Sequence, residues 1–116
     1  MEKFKQKMIA LLNSKNLSDI EAGILGLTMN EVDYKLAEST CIKYSTHSDE
    51  WLRKIAMEGV EHIFRVYTDA SISVKKLLMI LENGIKDKSS LVSGASEDYL
   101  QGARHFIQIR KLKIDK

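Results

Sequence analysis

The chain has 116 residues, a length that allows one domain with a core of modest size. Its composition, 44% hydrophobic and 29% charged, is that of an ordinary globular protein, and the net charge of +2 gives no global sign of a nucleic acid or an anionic membrane as partner. The single cysteine excludes an intrachain disulfide, and the sequence shows neither the apolar block of a secretory signal nor a membrane-spanning stretch, so we expect a cytoplasmic protein.

Helical periodicity recurs along the chain, proline is absent, and no run alternates apolar and polar residues for long enough to indicate a strand. The first helix is predicted from about Glu2 to Asn13. Ser18 and Glu21 form a capping box, S-x-x-E, which predicts a second helix from there to about Thr28.

The third and fourth helices are predicted from caps followed by acidic first turns. Asn30 can cap the third helix, and Ser48 can cap the fourth. The apolar stripe of the third helix consists of Val32, Leu36, Ala37, Cys41 and Tyr44. The apolar stripe of the fourth consists of Leu52, Ile55, Ala56, Gly59, Val60, Ile63 and Tyr67. Gly59 disfavours a helix by about 1 kcal/mol, and close packing against a neighbouring helix is the expected compensation.

A fifth helix is predicted to begin near Ser71 or Ser73 and to bury Val74, Leu77, Leu78, Leu81 and Ile85. Residues 88–96, KSSLVSGAS, are predicted to be a loop that ends in Ser96 as the cap of a sixth helix. The basic end of the chain, RKLKIDK, is predicted to be a final helical turn favoured by the helix dipole.

The spacing of these helices predicts an all-α fold of three stacked antiparallel helical hairpins in a single domain, residues 1–116. The hairpins are expected at about 2–28, 31–67 and 72–112. Only Thr46 and His47 separate the third helix from the cap of the fourth, which requires an antiparallel pair. Hairpins that recur every 35–40 residues or so are typical of a helical-repeat array, in which each unit buries its apolar stripe against its neighbours.

Residues 47–67, HSDEWLRKIAMEGVEHIFRVY, resemble the second helix of a HEAT-like repeat. A closer resemblance is to small bacterial HEAT-like proteins that act as immunity proteins in contact-dependent growth inhibition and other polymorphic toxin systems. The residues that match the central block of that family, in order, are His47, Asp49, Trp51, Leu52, Arg53, Gly59, His62, Ile63 and Arg65. Two positions depart from the family pattern, because Ser48 stands where proline is common and Glu61 where the residue is usually small.

Four residues of the fourth helix allow a structural or a functional interpretation. Arg53 is expected to brace the repeat by pairing with an aspartate, although it could bind a carboxylate or phosphate of a partner. Trp51 either fixes the hairpin turn or is an exposed anchor for a partner. Glu58 and His62, four residues apart, resemble half of a metal site, but no second pair of ligands lies nearby in the sequence, so we expect no metal.

The sequence shows no catalytic motif, so we expect a binding protein and not an enzyme, with no cofactor and no small-molecule substrate. The resemblance implies that the polar row of the fourth helix is a docking face, and its members are Glu50, Lys54, Met57, Glu58, Glu61 and Arg65. Its alternative is a solvated helix face with internal ion pairs. Acidic residues at the ends of helices, which could lie on one rim and cover a basic nuclease site, are Glu31, Asp33, Asp49, Glu50 and Asp69.

The leading hypothesis is an immunity protein that binds a cognate bacterial toxin, expected to be a nuclease, in a 1:1 complex and occludes its active site. We expect no membrane or nucleic-acid partner on this hypothesis. One alternative is a HEAT-like adaptor that binds proteins but no toxin. A further alternative is a nucleic-acid-binding helical repeat that uses the basic tail together with Lys75, Lys76, Lys86 and Lys88. Steep loss of affinity with added salt would distinguish the nucleic-acid binder.

Overall fold

A computed structural model describes residues 2–68 and 72–114. This part of the chain forms six α-helices and contains no strand, which confirms the all-α class. None of the helices in the described part is long and apolar enough to cross a membrane. The helices are α1 (Glu2–Leu12), α2 (Leu17–Met29), α3 (Tyr34–Ser45), α4 (Glu50–Val66), α5 (Val74–Ile85) and α6 (Ser90–Arg110).

The helices pack in consecutive pairs, α1 with α2, α3 with α4, and α5 with α6. Within each pair the connecting turn is short, covering residues 13–16, 46–49 and 86–89. The second helices also pack on one another, with α4 between α2 and α6. The extents of the molecule, 36 × 35 × 16 Å, are those of a slab two helices thick. The predicted hairpins correspond to these three pairs of helices.

The central helix α4 contributes to both clusters of buried apolar residues. Ile55 is 1% exposed and packs with α2, whereas Ile63 is 0% exposed and packs in the larger cluster formed with α3, α5 and α6. The lack of a side chain at Gly59 allows α4 to pack closely against α2 and α3. A Cβ atom added there would lie 3.1 Å from Thr28 Cγ2 on α2 and 3.2 Å from Cys41 Sγ on α3. The expectation of close packing at Gly59 is therefore confirmed.

The caps of α2 and α3 differ from the prediction. Asn16 caps α2, because its side chain accepts hydrogen bonds from the amides of Ser18 and Asp19. Ser18 lies inside the helix, so the predicted capping box was wrong. Asp33 caps α3 by accepting from the amide of Leu36 at 3.0 Å. Asn30 instead lies at the end of α2. Each region holds several residues able to cap, and the extended residue directly before the first helical turn is the one used.

The cap of α4 is one residue later than predicted, since the side chain of Asp49 accepts from the amide of Leu52 at 3.0 Å. The larger error concerns α6, which begins at Ser90 with Ser89 as its cap, so most of the predicted loop is helical. Ser96 is completely buried inside α6, and a Cβ added to Gly84 of α5 would overlap its hydroxyl. Ser96, one of the small residues that indicated a loop, thus allows close packing of α5 on α6.

Candidate protein-docking face on α4

Four charged residues of α4 lie in one row along the helix, because they are spaced by four, three and four residues. They are Lys54, Glu58, Glu61 and Arg65. Trp51 precedes them by one further step of three residues. We call these five residues the α4 face, and it belongs to the central helix of the layer that α2, α4 and α6 form. Met57, which the sequence interpretation placed in this row, is 1% exposed and part of the core, so that assignment was wrong.

Glu58 is the most connected residue of the α4 face. Its carboxylate lies 3.7 Å from Lys54 Nζ and 3.2 Å from His62 Nε2, and it accepts a hydrogen bond of 3.3 Å from the hydroxyl of Tyr99 on α6. Burial, and then the charge of Glu58, raise the pKa of Tyr99 to about 12, so the phenol keeps its proton and remains a donor. Helices α4 and α6 are thereby joined at the surface through one carboxylate.

His62 connects Glu58 to the end of the row. Arg65 Nη2 lies 2.5 Å from His62 Nδ1. A guanidinium has no acceptor, so Nδ1 must accept from it. The imidazole proton then resides on Nε2, which donates to Glu58. The result is a directed chain of hydrogen bonds from Arg65 through His62 to Glu58. The described residues contain no group of three or more His, Cys, Asp and Glu side chains that could hold a metal ion.

Glu61 differs from its neighbours because its carboxylate has no hydrogen bond or ion pair with another residue in the described ranges. Burial raises its pKa above the ordinary 4.5, while the nearby positive charge of Arg65 acts in the opposite direction. The side chain lies against the backbone of α6 at Gly102, where an added Cβ would overlap the Glu61 carboxylate. Among the residues that the structure describes, Glu61 is thus a half-buried acid without a partner.

Trp51 is held in place but remains accessible. Its indole N–H donates to Glu21 of α2 over 2.6 Å, and Lys54 Nζ lies 4.7 Å from the centre of its ring. Even so, 42% of the residue is exposed. The indole therefore joins α4 to α2. One interpretation of the sequence had Trp51 fixing the hairpin turn, and these contacts do not support it. An aromatic side chain that is both oriented and exposed suits the centre of a protein interface.

The acidic residues predicted at a rim are divided between the two ends of α4. At its beginning, Asp49 caps the helix and Glu50 accepts from the hydroxyl of Ser89 at 3.3 Å. At its other end, Glu31 accepts from the amide and hydroxyl of Thr68. Since a helix rises 1.5 Å per residue, these two groups are about 25 Å apart.

Asp33 and Asp69 are the other two residues of the predicted acidic rim. Asp33, near Glu31, pairs with Lys5 at 2.9 Å. Asp69 lies outside the described residues. The acids that the structure describes therefore do not form one continuous rim, and each has a local structural role.

Two structural interpretations from the sequence are confirmed. Arg53 pairs with Asp87 at 2.9 and 3.1 Å and also donates to the carbonyl groups of His47 and Ser48. Cys41 is completely buried, and burial raises the pKa of its thiol to about 12, so the group is an unreactive part of the core.

Sequence reasoning missed the contributions of neighbouring helices to the α4 face. The hydroxyl of Tyr99 on α6 reaches Glu58. Glu21 was assigned to a capping box, yet it accepts from Trp51. Gly102 had no assigned role. Nothing in the periodicity of α2 or α6 indicates these contacts, because they connect residues 30 or 41 positions apart.

Neither a protein-family model, nor a curated protein, nor a solved structure matches this chain.

Proposed function

We propose that this chain is a cytoplasmic immunity protein, a HEAT-like stack of helix pairs that binds a cognate bacterial toxin through the α4 face and blocks the toxin's active site. The resemblance of residues 47–67 to HEAT-like immunity proteins supports this assignment. The observation that carries it is the state of Glu61, a half-buried carboxylate that lacks a partner of opposite charge within the described chain. A lysine or arginine of a bound protein would supply that partner.

The surroundings of Glu61 favour a protein as the binding partner. Trp51, exposed and oriented through Glu21, offers an anchor of a residue type that is enriched at interface hot spots. Glu58 is held by its neighbours in one position, so little side-chain entropy is lost when a partner binds beside it. The face thus combines an ordered aromatic side chain, the fixed carboxylate of Glu58 and the half-buried carboxylate of Glu61.

A nuclease is the toxin class that fits this chemistry. Enzymes that act on nucleic acids present cationic groups to phosphates, and the two carboxylates Glu58 and Glu61 can pair with such groups. Binding there would exclude the substrate by steric blocking. The charge complementarity would also speed the encounter of the two proteins. No group of this chain needs to react, and the mechanism requires no cofactor.

The test uses the polypeptide encoded by the reading frame immediately upstream, which on this proposal is the toxin. The wild-type chain should form a tight 1:1 complex with the toxin's C-terminal domain and protect cells that express it. Glu61→Lys should weaken binding by tenfold or more, because about 1.4 kcal/mol corresponds to tenfold and loss of an interfacial charge pair costs about 2–5 kcal/mol.

The matched control is Glu97→Lys, the same charge reversal at an exposed position on α6. By helical spacing Glu97 lies on a different side of α6 from Gly102, so its replacement should leave affinity unchanged. Unfolding curves of both variants must show that the fold is retained. The proposal fails if the wild-type chain does not bind the upstream product, or if Glu61→Lys binds it as well as Glu97→Lys does.

A further inference from the structure

The helices α3 and α5 leave a groove of about 660 Å³ between them, which belongs to a different part of the surface from the α4 face. Its floor is apolar, formed by the buried side chains of Met57 and Ile80 together with Gly84. Two large apolar side chains stand on its walls, Ile42 on α3 at 44% exposed and Met79 on α5 at 50% exposed. Apolar side chains that face each other across a groove favour an apolar ligand.

Arg53 and Met57 reach this groove from α4, four residues apart on one side of that helix. Lys54 and Glu58 each follow one position later, about 100° further around the helix. The groove therefore shares no residue with the α4 face. A ligand of the groove would therefore bind independently of the proposed toxin.

Lys76 of α5, whose Nζ lies 3.9 Å from Glu38 on α3, lines the groove. Exposed lysines outnumber exposed acids on α3 and α5, where Glu82 is the only exposed acid among the described residues of the two helices. The other acid there, Glu38, is buried and accepts a hydrogen bond from Tyr34. The exposed lysines of these two helices are Lys35, Lys43, Lys75 and Lys76, and the exposed Lys86 directly follows α5. The exposed charge of the two helices that flank the groove is therefore mainly positive.

The dimensions of the groove suit a short helix. Helices α3 and α5 have 12 residues each, which corresponds to a length of about 18 Å at 1.5 Å per residue. At one end the groove is bounded by the ion pair of Arg53 and Asp87, whose side chains are only 10% and 13% exposed. The pair is already satisfied, so a ligand at that end meets a closed polar boundary.

We propose that this groove binds an acidic amphipathic helix of another protein, about three turns long, with apolar residues seated between Ile42 and Met79 and carboxylates facing the lysines. Helix-in-groove recognition uses apolar anchors spaced by three or four residues, and the flexible Met79 and Met57 side chains can adapt to them. A nucleic acid would find its phosphates matched by the lysines but would leave the apolar walls exposed. The apolar floor therefore favours the helix.

The experiment titrates the full chain into a fluorescein-labelled 14-residue peptide with leucines at helical spacing and glutamates elsewhere, and measures anisotropy. We expect saturable binding. The double variant Ile42→Ser with Met79→Ser should weaken it by tenfold or more, because both side chains lose apolar contact with the peptide. Both residues are exposed, so the fold should be retained. The control is Ile109→Ser, which removes an apolar side chain 57% exposed on α6 and should leave the affinity unchanged.

Two further probes identify the class of ligand. A peptide with the glutamates replaced by lysines should not bind, and a single-stranded DNA oligonucleotide should bind more weakly than the acidic peptide and without dependence on Ile42 and Met79. The inference is overturned if the acidic peptide does not bind, if both peptides bind equally, or if the DNA binds more tightly. None of these results bears on the α4 face, which Glu61→Lys tests separately.

Discussion

Arg53 of α4 and Asp87, in the turn before α6, form a two-point ion pair, with Nε 2.9 Å from Oδ2 and Nη2 3.1 Å from Oδ1. The remaining guanidinium nitrogen donates to the carbonyl groups of His47 and Ser48. One side chain thus connects the turn of the second helix pair to the turn of the third. The two side chains are 10% and 13% exposed, so solvent screens this pair less than a surface pair.

Replacing Arg53 by methionine should lower the free energy of unfolding by about 2–3 kcal/mol, because it leaves a shielded carboxylate and two carbonyl groups without their donor. Urea denaturation at pH 7 measures the change. The control is Lys54→Met at the next position, whose pair with Glu58 is longer at 3.7 Å and should contribute less than about 1 kcal/mol. Equal losses in the two variants would contradict the special role of Arg53.

The ion pair of Arg53 and Asp87 predicts how the stability of the fold depends on pH. The hydrogen bond from Arg53 lowers the pKa of Asp87 below its ordinary 3.8, so folding favours the ionised carboxylate. The stabilisation is therefore complete above about pH 4 and is lost as the pH falls below 3.8 towards the lowered value. Asp87→Asn should be less stable than the wild-type chain at pH 7, and the difference should narrow on acidification. Urea denaturation from pH 7 to pH 2.5 measures it, and a constant difference would refute the pairing.

Substitutions at two adjacent residues, Ser48 and Asp49, test which of them caps α4. Asp49→Ala should lower the free energy of unfolding by about 1 kcal/mol, because the amide of Leu52 loses its acceptor at the positive end of the helix. Ser48→Ala should have almost no effect, since that residue interacts with Arg53 through its backbone carbonyl. Thermal unfolding of both variants measures the two losses of stability. A larger loss for Ser48→Ala than for Asp49→Ala would show that Ser48 is the cap.

Glu61 should reduce stability at neutral pH. Burial raises its pKa above 4.5, so folding favours the protonated acid, and that contribution is present below pH 4.5 and lost as the pH rises through the raised value. Glu61→Gln keeps the shape without the charge and should raise the melting temperature at pH 7 but not at pH 4. Glu97→Gln at an exposed position serves as control. A lower melting temperature at pH 7 for Glu61→Gln would show that the ionised carboxylate has a partner.

The sequence predicted the buried side of α4 well and the start of α6 badly, for related reasons. The stripe that contains Ile55 and Ile63 follows the helical period over 17 residues, and this periodic signal is local to the chain. At the start of α6, local propensities favoured a loop, because Ser93, Gly94 and Ser96 are poor helix formers. Packing of Ser96 against Gly84 on α5 outweighs that preference.

The sequence by itself determined the helical class, the buried stripe of α4, the bracing role of Arg53 and the charged row that includes Glu58 and Glu61. Only the tertiary structure decided which groups surround that row and which surfaces remain open. Tyr99 reaches Glu58 across 41 positions of sequence, and the walls of the α3–α5 groove come from two different helix pairs. Periodicity reports which side of a helix is buried, whereas the identity of the neighbour depends on how the helices pack.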